Sequence, residues 1–362
     1  MPYRAATLAV GLGLLAAVLS PPIRAQQDGR HALLASPPIE HYLEALRQQA
    51  GIPGLSAAVV QDGALVWERG FGFENLELRI RATPDTPYYA GGLSQSLAAV
   101  LLLQCVEQRR LSLDEPVRRF GLALPEDTAT LRHLLTHSSV GTPGAEYRYA
   151  PERYAQLGTI MEWCAPQPYR KSVAHRLLEF LAMKDSVPGT DLRNPEVVPD
   201  GLFDEATLDR YARILQRLAV PYKSEGRGRA TRSELPRPEG ISPASGLVTT
   251  VRDLAQFDLA LDSALLLLDD TRANAWSPAI AIDGTPMPTG LGWYVQQYRG
   301  EQVVWQYGHL PSAYSSMIIK LPARRVTLIL LANSDGLVAS SDLASGDVTK
   351  SIFATLFLRL FT

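Results

Sequence analysis

The chain has 362 residues, of which 46% are hydrophobic, and its 35 Lys and Arg against 37 Asp and Glu give a formal net charge of −2. A chain of this length and apolar content can bury a large core, in one big α/β domain or in two smaller ones. The nearly balanced charge gives no indication of nucleic acid as a partner.

Residues 1–25 have the pattern of a secretory signal. Arg4 supplies the positive start, residues 5–20 are mostly apolar, and residues 23–25 form a cleavage site. We therefore predict an exported protein, periplasmic or secreted, with an uncleaved anchor as the alternative.

Two cysteines, Cys105 and Cys164, lie far apart in the sequence. Export would permit a disulfide between them. However, Cys105 follows a strongly apolar stretch, and a free buried cysteine behaves as a small apolar residue. We predict two unpaired thiols.

The first elements are a helix that begins at Pro38 and two strands over residues 55–61 and 64–69. Asp62 and Gly63 separate the strands, and both residue types tolerate the positive φ angles of a tight turn. This pattern predicts a β-hairpin.

The stretch that organises the chain is a turn and helix over residues 86–107. From 97 to 103 almost every residue is apolar, which predicts a helix enclosed by protein, since the run is too short to span a membrane. The first turn, residues 92–95, has free backbone N–H groups and the positive end of the helix dipole, where many enzymes place a nucleophile or an anion. Here that position holds no obvious nucleophile.

A further helix is predicted over residues 130–139, with His133 and His137 four apart on one face. This is the spacing of a zinc pair. No Glu follows His133 and no third ligand is evident, so we expect both side chains to form structural hydrogen bonds. We predict no metal and no cofactor.

The middle of the chain is mainly helical in pattern. After a loop over 143–151, helices are predicted through 154–164, 173–183 and 205–218, and from the capping box at Thr250 to Asp262. The arginine-containing stretch 223–243 is predicted to be a solvated loop, with a site for an anionic polymer as the alternative.

The C-terminal part alternates as strands do, over residues 293–298, 301–307, 315–320 and 326–333, and a last helix begins at Asp347. Strands at both ends with helices between them predict an α+β fold with one antiparallel sheet built from both chain ends. We divide the domain, residues 26–362, into a sheet part (36–80 and 286–362) and an inserted, mainly helical part (81–285).

Several phrases of this sequence resemble the serine β-lactamase and penicillin-binding protein superfamily, especially its class C and esterase-like branch. The resemblance covers nearly the whole chain after residue 25. The phrases that carry it include Glu68-Arg69-Gly70-Phe71-Gly72, Thr86-Pro87-Tyr88, His133-Leu134-Leu135-Thr136-His137-Ser138-Ser139, Ala244-Ser245-Gly246-Leu247-Val248-Thr249-Thr250, Gly290-Leu291-Gly292-Trp293 and Tyr307-Gly308-His309.

The resemblance implies a Ser at the start of the central helix and a Lys three residues later, which helps to deprotonate it. Residues at this spacing share one face of a helix. Alignment on the phrase at 86–88 puts Gly92 at the Ser position and Gln95 at the Lys position. Nucleophile and base are therefore both missing.

The resemblance also implies a Tyr-x-Asn loop and, on the strand that lines the cleft, Lys or His followed by Thr and Gly. Tyr149 is retained, but Pro151 replaces the Asn. His309 is retained, but Leu310 and Pro311 replace the Thr and Gly. Tyr149 and His309 alone do not provide a catalytic mechanism.

Two nearby serines are candidates for a replacement nucleophile. Ser94 lies two residues past the expected position, which rotates it by about 200° to the far side of the helix. Neither Ser94 nor Ser96 has a Lys three positions later, because those positions are Leu97 and Ala99.

These losses predict a catalytically inactive protein with a binding or regulatory role, because loss of nucleophile or base in a serine hydrolase costs about 10⁶-fold in rate. Gly92, Tyr149, His309 and Ser312 would border the binding cleft. The ligands that the resemblance implies are peptidoglycan-type peptides, β-lactam-like amides or small esters, with a partner protein as another option.

Two other hypotheses stay open. One is a hydrolase with rearranged residues, with Tyr149 as base and Ser94 or a water as nucleophile. The other is a protein in which the cleft is closed by Pro151 and Pro311, so that Tyr149 and His309 have structural roles only.

Overall fold

The computed structural model describes Met1 and residues 37–194, 201–226, 228–339 and 341–362. The predicted signal over residues 1–25, together with its cleavage or retention as an anchor, lies outside the described residues. Within the described ranges no helix has the length and hydropathy needed to cross a bilayer.

The strands in chain order are β1 (Gly54–Gln61), β2 (Ala64–Asn75), β3 (Ile80–Arg81), β4 (Tyr88–Tyr89), β5 (Val187–Pro188), β6 (Tyr222–Gly226), β7 (Arg229–Arg232), β8 (Leu247–Thr249), β9 (Tyr294–Tyr298), β10 (Glu301–Leu310), β11 (Tyr314–Leu321) and β12 (Val326–Ala332). The α-helices are α1 (Pro37–Gln49), α2 (Ser94–Glu107), α3 (Leu131–Leu135), α4 (Pro151–Tyr154), α5 (Leu157–Cys164), α6 (Tyr169–Val173), α7 (Glu205–Gln216), α8 (Val251–Asp262), α9 (Asp269–Ala275) and α10 (Ile352–Phe361).

Seven strands form the main sheet, in the order β3-β2-β1-β12-β11-β10-β9. Every pairing in it is antiparallel. At its centre the N-terminal β1 pairs with the C-terminal β12, with Leu55 opposite Ala332. The predicted α+β fold, with an antiparallel sheet made from both chain ends, is confirmed.

Each face of the sheet is buried against helices. Because side chains alternate along a strand, Ala57 and Val59 of β1 pack with α1 and α10, whereas Ala58 and Val60 face the helical part. Between the two halves of the sheet the chain forms α2 to α9 and a small sheet of the order β4-β8-β5.

The apolar helix is α2, and residues 94–103 within it are all buried. It has no polar stripe, as predicted, because protein surrounds it.

The prediction of two unpaired thiols is wrong. Cys105 of α2 and Cys164 of α5 form a disulfide, with Cα atoms 6.1 Å apart. The two cysteines are 59 positions apart and are brought together by apolar packing of α5 against α2. A local sequence pattern could not predict this contact.

The helix predicted to start in residues 130–139 is present, but the expectation that His133 and His137 lie on one helical face is wrong. The helix α3 ends at Leu135, and His137 has a φ of 51°, outside the helical range. His133 Nδ1 accepts a hydrogen bond from the Thr130 amide at 3.1 Å, which caps the start of α3. The two histidines therefore do not share a helical face, and the zinc-pair geometry is not formed.

Three other boundaries differ from the predictions. Part of the predicted loop over 223–243 is the β6–β7 hairpin. The predicted helix over 173–183 is α6 followed by a π-helical turn over Ala174–Glu179. The last helix begins at Ile352, because Asp347 caps a short 3₁₀ turn and Ser351 caps α10.

Candidate functional site

A cleft of about 430 Å³ lies where the start of α2, the start of α4, the loop before β8 and the end of β10 meet. Among the predicted site residues Gly92, Tyr149, Pro151 and His309 line this cleft, and Gln95 and Ser312 do not. The other lining residues are Tyr89, Gly91, Glu152, Ala155, Glu239, Ser242, Ala244, Ser245, Tyr307, Leu310 and Pro311.

Gly92 lies in a 3₁₀ turn, Gly91–Leu93, that leads into α2. A Cβ atom on Gly92 would lie 2.5 Å from the carbonyl oxygen of Tyr307 in β10, which is closer than Cβ atoms approach backbone. Gly308 faces the same restriction from the carbonyl oxygen of Ala90. The turn and the strand thus pack backbone to backbone, and the space for a nucleophile side chain is filled.

Gln95 takes part in a buried chain of neutral hydrogen bonds. Its Nε2 donates to the Tyr149 hydroxyl at 3.1 Å, and its Oε1 lies 3.0 Å from His137 Nε2. His137 Nδ1 accepts from the Ala150 amide at 3.2 Å. The proton of His137 therefore belongs on Nε2, which donates it to Gln95.

No member of this chain of hydrogen bonds is a base at neutral pH. Burial lowers the pKa of His137 to about 3, and its two nitrogens are already engaged. Burial likewise raises the pKa of the Tyr149 phenol, so that it stays protonated. An amide such as Gln95 has no usefully basic atom.

Pro151 and His309 take positions that the local structure explains. Pro151 is the first residue of α4, where the missing N–H costs no hydrogen bond. His309 is exposed near the end of β10, opposite Ser315. Burial of part of its ring lowers the pKa of His309, against an opposing effect of Asp335.

Ser312 lies in the turn between β10 and β11, where its backbone N–H donates to Asp335 Oδ2 at 3.0 Å. Ser94 and Ser96 are buried and do not line the cleft. Ser96 donates to the carbonyl of Gly292 at 3.0 Å, and the Ser94 hydroxyl lies 3.4 Å from the Leu247 amide.

Sequence reasoning missed four residues that shape the cleft: Tyr89, Glu152, Glu239 and Tyr307. The Tyr89 hydroxyl donates to Glu239, although 150 positions separate them. Of the two acids, only Glu152 could have been found from the sequence, because it directly follows the predicted site residue Pro151. The reasoning from the sequence also missed His137 as the hydrogen-bond partner of Gln95.

The family model described as Beta-lactamase matches residues 39–349, which is most of the chain. The chain therefore belongs to the β-lactamase family, within the superfamily of serine β-lactamases and penicillin-binding proteins, and the resemblance drawn from the sequence is confirmed.

One curated relative and two solved structures show what the chain is similar to. Protein flp of Staphylococcus aureus is 21% identical over 82% of this chain and 61% of its own length. An octameric penicillin-binding protein homologue from Pyrococcus abyssi has a TM-score of 0.71 at 24% identity, covering 89% of this chain and 77% of that one. The D-amino acid amidase of Ochrobactrum anthropi, solved with L-phenylalanine, has a TM-score of 0.66 at 19% identity, covering 88% and 98%. The chain spans less than two thirds of the length of the first curated relatives that match it.

Proposed function

We propose that this protein is an exported, catalytically inactive member of the β-lactamase family that binds small amide or peptide ligands in the cleft beside Gly92. The observation that carries the proposal is the closed nucleophile position. The Tyr307 carbonyl fills the space of a side chain on Gly92, and Gln95, at the base position, is held by His137 and Tyr149.

The chemistry of the residues around the cleft supports inactivity. Covalent catalysis needs a nucleophile next to a base. The nearest serine in sequence, Ser94, is buried and does not line the cleft. The phenol of Tyr149 stays protonated because burial raises its pKa, so a rearranged hydrolase with Ser94 as nucleophile and Tyr149 as base lacks both of its parts.

The cleft itself supports ligand binding. Its volume of about 430 Å³ lies in the range of small-molecule sites, and Pro151 and Pro311 border it without filling it. The relatives favour a peptide or an amide as ligand, since one is a penicillin-binding protein homologue and another a D-amino acid amidase. Peptidoglycan-type peptides, β-lactam-like amides and small esters are the ligands to test, with a partner protein as the alternative.

The disulfide supports export. Disulfides persist in oxidising compartments such as the periplasm and are rare in the cytosol of most organisms. The bond between Cys105 and Cys164 is therefore what an exported protein would carry.

The test of inactivity is acylation. The purified protein is incubated with a fluorescent penicillin and a chromogenic ester, and its intact mass is measured. We expect no covalent adduct and no turnover. A stoichiometric adduct would contradict the proposal, and the modified residue would identify the nucleophile.

The test of binding is calorimetry with a muropeptide and a β-lactam. Ala244 lines the cleft, so Ala244→Trp should abolish the saturable binding that we expect of the wild type. Ala273→Trp, at an exposed position on α9, is the matched control and should bind normally. If the wild type shows no saturable binding, the cleft is not a receptor for these ligands.

A further inference from the structure

The charges around the cleft are one-sided. Glu152 and Glu239 both line it and are exposed, and no Lys or Arg is among its described lining residues. His309 is the only basic side chain there, and burial of part of its ring lowers its pKa, so that it is largely uncharged at neutral pH.

Glu239 is held in place at the wall of the cleft. Its Oε1 accepts a hydrogen bond from the Tyr89 hydroxyl, and the Ser245 hydroxyl lies 3.4 Å from the same oxygen. Its backbone N–H donates to Thr190 Oγ1 at 3.0 Å, and its carbonyl accepts from the Thr190 amide at 2.8 Å. The second carboxylate oxygen accepts no hydrogen bond from the described chain, so it is available to a donor on a ligand.

Glu152 is also available. It forms no hydrogen bond and no ion pair with the part of the chain that the structure describes. The next residue, Arg153, is turned to Glu126, with which it pairs at 2.6 Å. Arg170 lies against Gly240 near the rim, but it donates to Asp191 at 2.5 Å and does not line the cleft.

The end of β10 offers little to an anion. Leu310 and Pro311 line the cleft there, and neither has a polar side chain. Pro311 also lacks a backbone N–H. A carboxylate placed in this cleft would face two acids and no Lys or Arg among the described lining residues. Only the backbone N–H groups at the start of α2 would attract it.

The remaining wall is aromatic. Tyr89, Tyr149 and Tyr307 line it, with the rings of Tyr149 and Tyr307 6.2 Å apart. The electron-rich faces of such rings attract cations. The carboxylates and the aromatic rings of the cleft thus both favour a positively charged ligand.

We infer that the cleft selects ligands that carry a protonated amine, such as an amino acid amide or the free amino end of a short peptide, over ligands that carry a carboxylate. This inference rests on the proposed function, since it specifies what the inactive cleft binds.

The test compares three probes of one shape. D-phenylalanine amide is a cation, N-acetyl-D-phenylalanine amide is neutral and N-acetyl-D-phenylalanine is an anion. Each is titrated by calorimetry into the full chain at pH 6.5, where the free amine is protonated. We expect the cation to bind about threefold to fivefold more tightly than the neutral amide, the size expected of exposed ion pairs, and the anion to bind most weakly.

The double variant Glu152→Gln/Glu239→Gln should lose most of the preference for the cation over the neutral amide, keeping only what the aromatic rings contribute. Both acids are exposed and Gln keeps an acceptor for Tyr89, so folding should be unaffected. Glu205→Gln, an exposed acid on α7, is the control and should keep the preference for the cation.

The outcomes separate the two claims. Equal binding of the cation and the neutral amide, or tightest binding of the anion, would overturn the charge selection and leave the proposed binding function standing. A preference for the cation that survives the double variant undiminished would also overturn the charge selection. If none of the three probes binds, the proposed amide-binding function fails, and the charge selection fails with it.

Discussion

Gly92 lacks a side chain at a point where the backbone of β10 leaves no room for one. We expect Gly92→Ala to lower the free energy of unfolding by about 1–3 kcal/mol, the usual cost of forcing atoms into a packed site. Urea unfolding measures the change.

Gly158 is the matched control for that substitution. It lies in α5, and a Cβ there would make only ordinary contacts, the nearest at 3.5 Å. Because Ala is favoured over Gly inside helices, Gly158→Ala should stabilise the protein by about 0.5–1 kcal/mol. Equal stability of Gly92→Ala and the wild type would show that β10 can yield, and steric closure would no longer argue for inactivity.

Restoring the family's residues should not restore catalysis. In Gly92→Ser/Gln95→Lys the hydroxyl would require β10 to move, and the new ammonium would lie in the buried space beside His137 and Tyr149. We expect no acylation by a fluorescent penicillin, by gel fluorescence and intact mass. If the double variant is labelled and circular dichroism shows that it is folded, the prediction is wrong. The backbone would then still support acylation, and only the two side chains would have been lost.

His137 should make stability depend on pH. Its pKa in the folded chain is lowered to about 3 from the 6.5 of an unburied histidine, so protons prefer the unfolded state. The stabilising contribution is complete above pH 6.5 and is lost as the pH falls toward 3, at about 1.4 kcal/mol per pH unit.

The measurement is the free energy of unfolding between pH 7 and pH 4. His137→Asn should show a shallower fall with decreasing pH than the wild type, whereas His41→Asn, at an exposed position, should follow the wild type. Parallel curves for the wild type and His137→Asn would contradict the assignment of a neutral, buried imidazole.

At the scale of elements, the disulfide joins α2 to α5 across a separation of 59 residues. Closing a loop of that length in the unfolded chain corresponds to about 4 kcal/mol of stability in the chain-entropy model. We expect Cys105→Ala/Cys164→Ala to lose a large part of this, as measured by urea unfolding. The same loss of stability should appear when the disulfide of the wild type is reduced. A reduced protein that resists urea as well as the oxidised protein does would contradict the prediction.

Elements with a local cause could be predicted from the sequence. The hairpin at Asp62 and Gly63 and the cap of α8 at Thr250 both depend on a few neighbouring residues, and both are present. The apolar run in α2 needed no more than its composition. His137 differs because its position after α3 depends on contacts with Gln95 and Ala150, which belong to other segments.

The candidate site was likewise predictable only where it depends on local sequence. The alignment with the family gave Gly92, Tyr149 and His309, which do meet at one cleft. The contact between Gly92 and the Tyr307 carbonyl could not be predicted, since it depends on how closely a distant strand approaches. Glu239 likewise reaches the cleft through a fold-level contact with Tyr89.

At the scale of the whole molecule, Lys320 connects the sheet to the helical part. It lies in β11, is almost fully buried, and pairs with Asp258 at 3.0 Å and Asp262 at 2.8 Å on α8. Lys320→Ala would leave Asp258 buried without its cation, at a cost of about 3–5 kcal/mol. Arg324→Ala breaks a partly exposed pair with Glu301 and should cost less than about 1 kcal/mol. Equal losses in urea unfolding would contradict this role for Lys320.

The pairing of β1 with β12 also has a consequence for synthesis. The centre of the sheet joins residues 55–61 to residues 326–332, so the ribosome must have made both strands before that centre can close. Such long-range pairing slows folding. Until β12 has been made, the centre of the sheet stays open, and an unclosed chain keeps the loose form that the proposed export through a translocation channel would need.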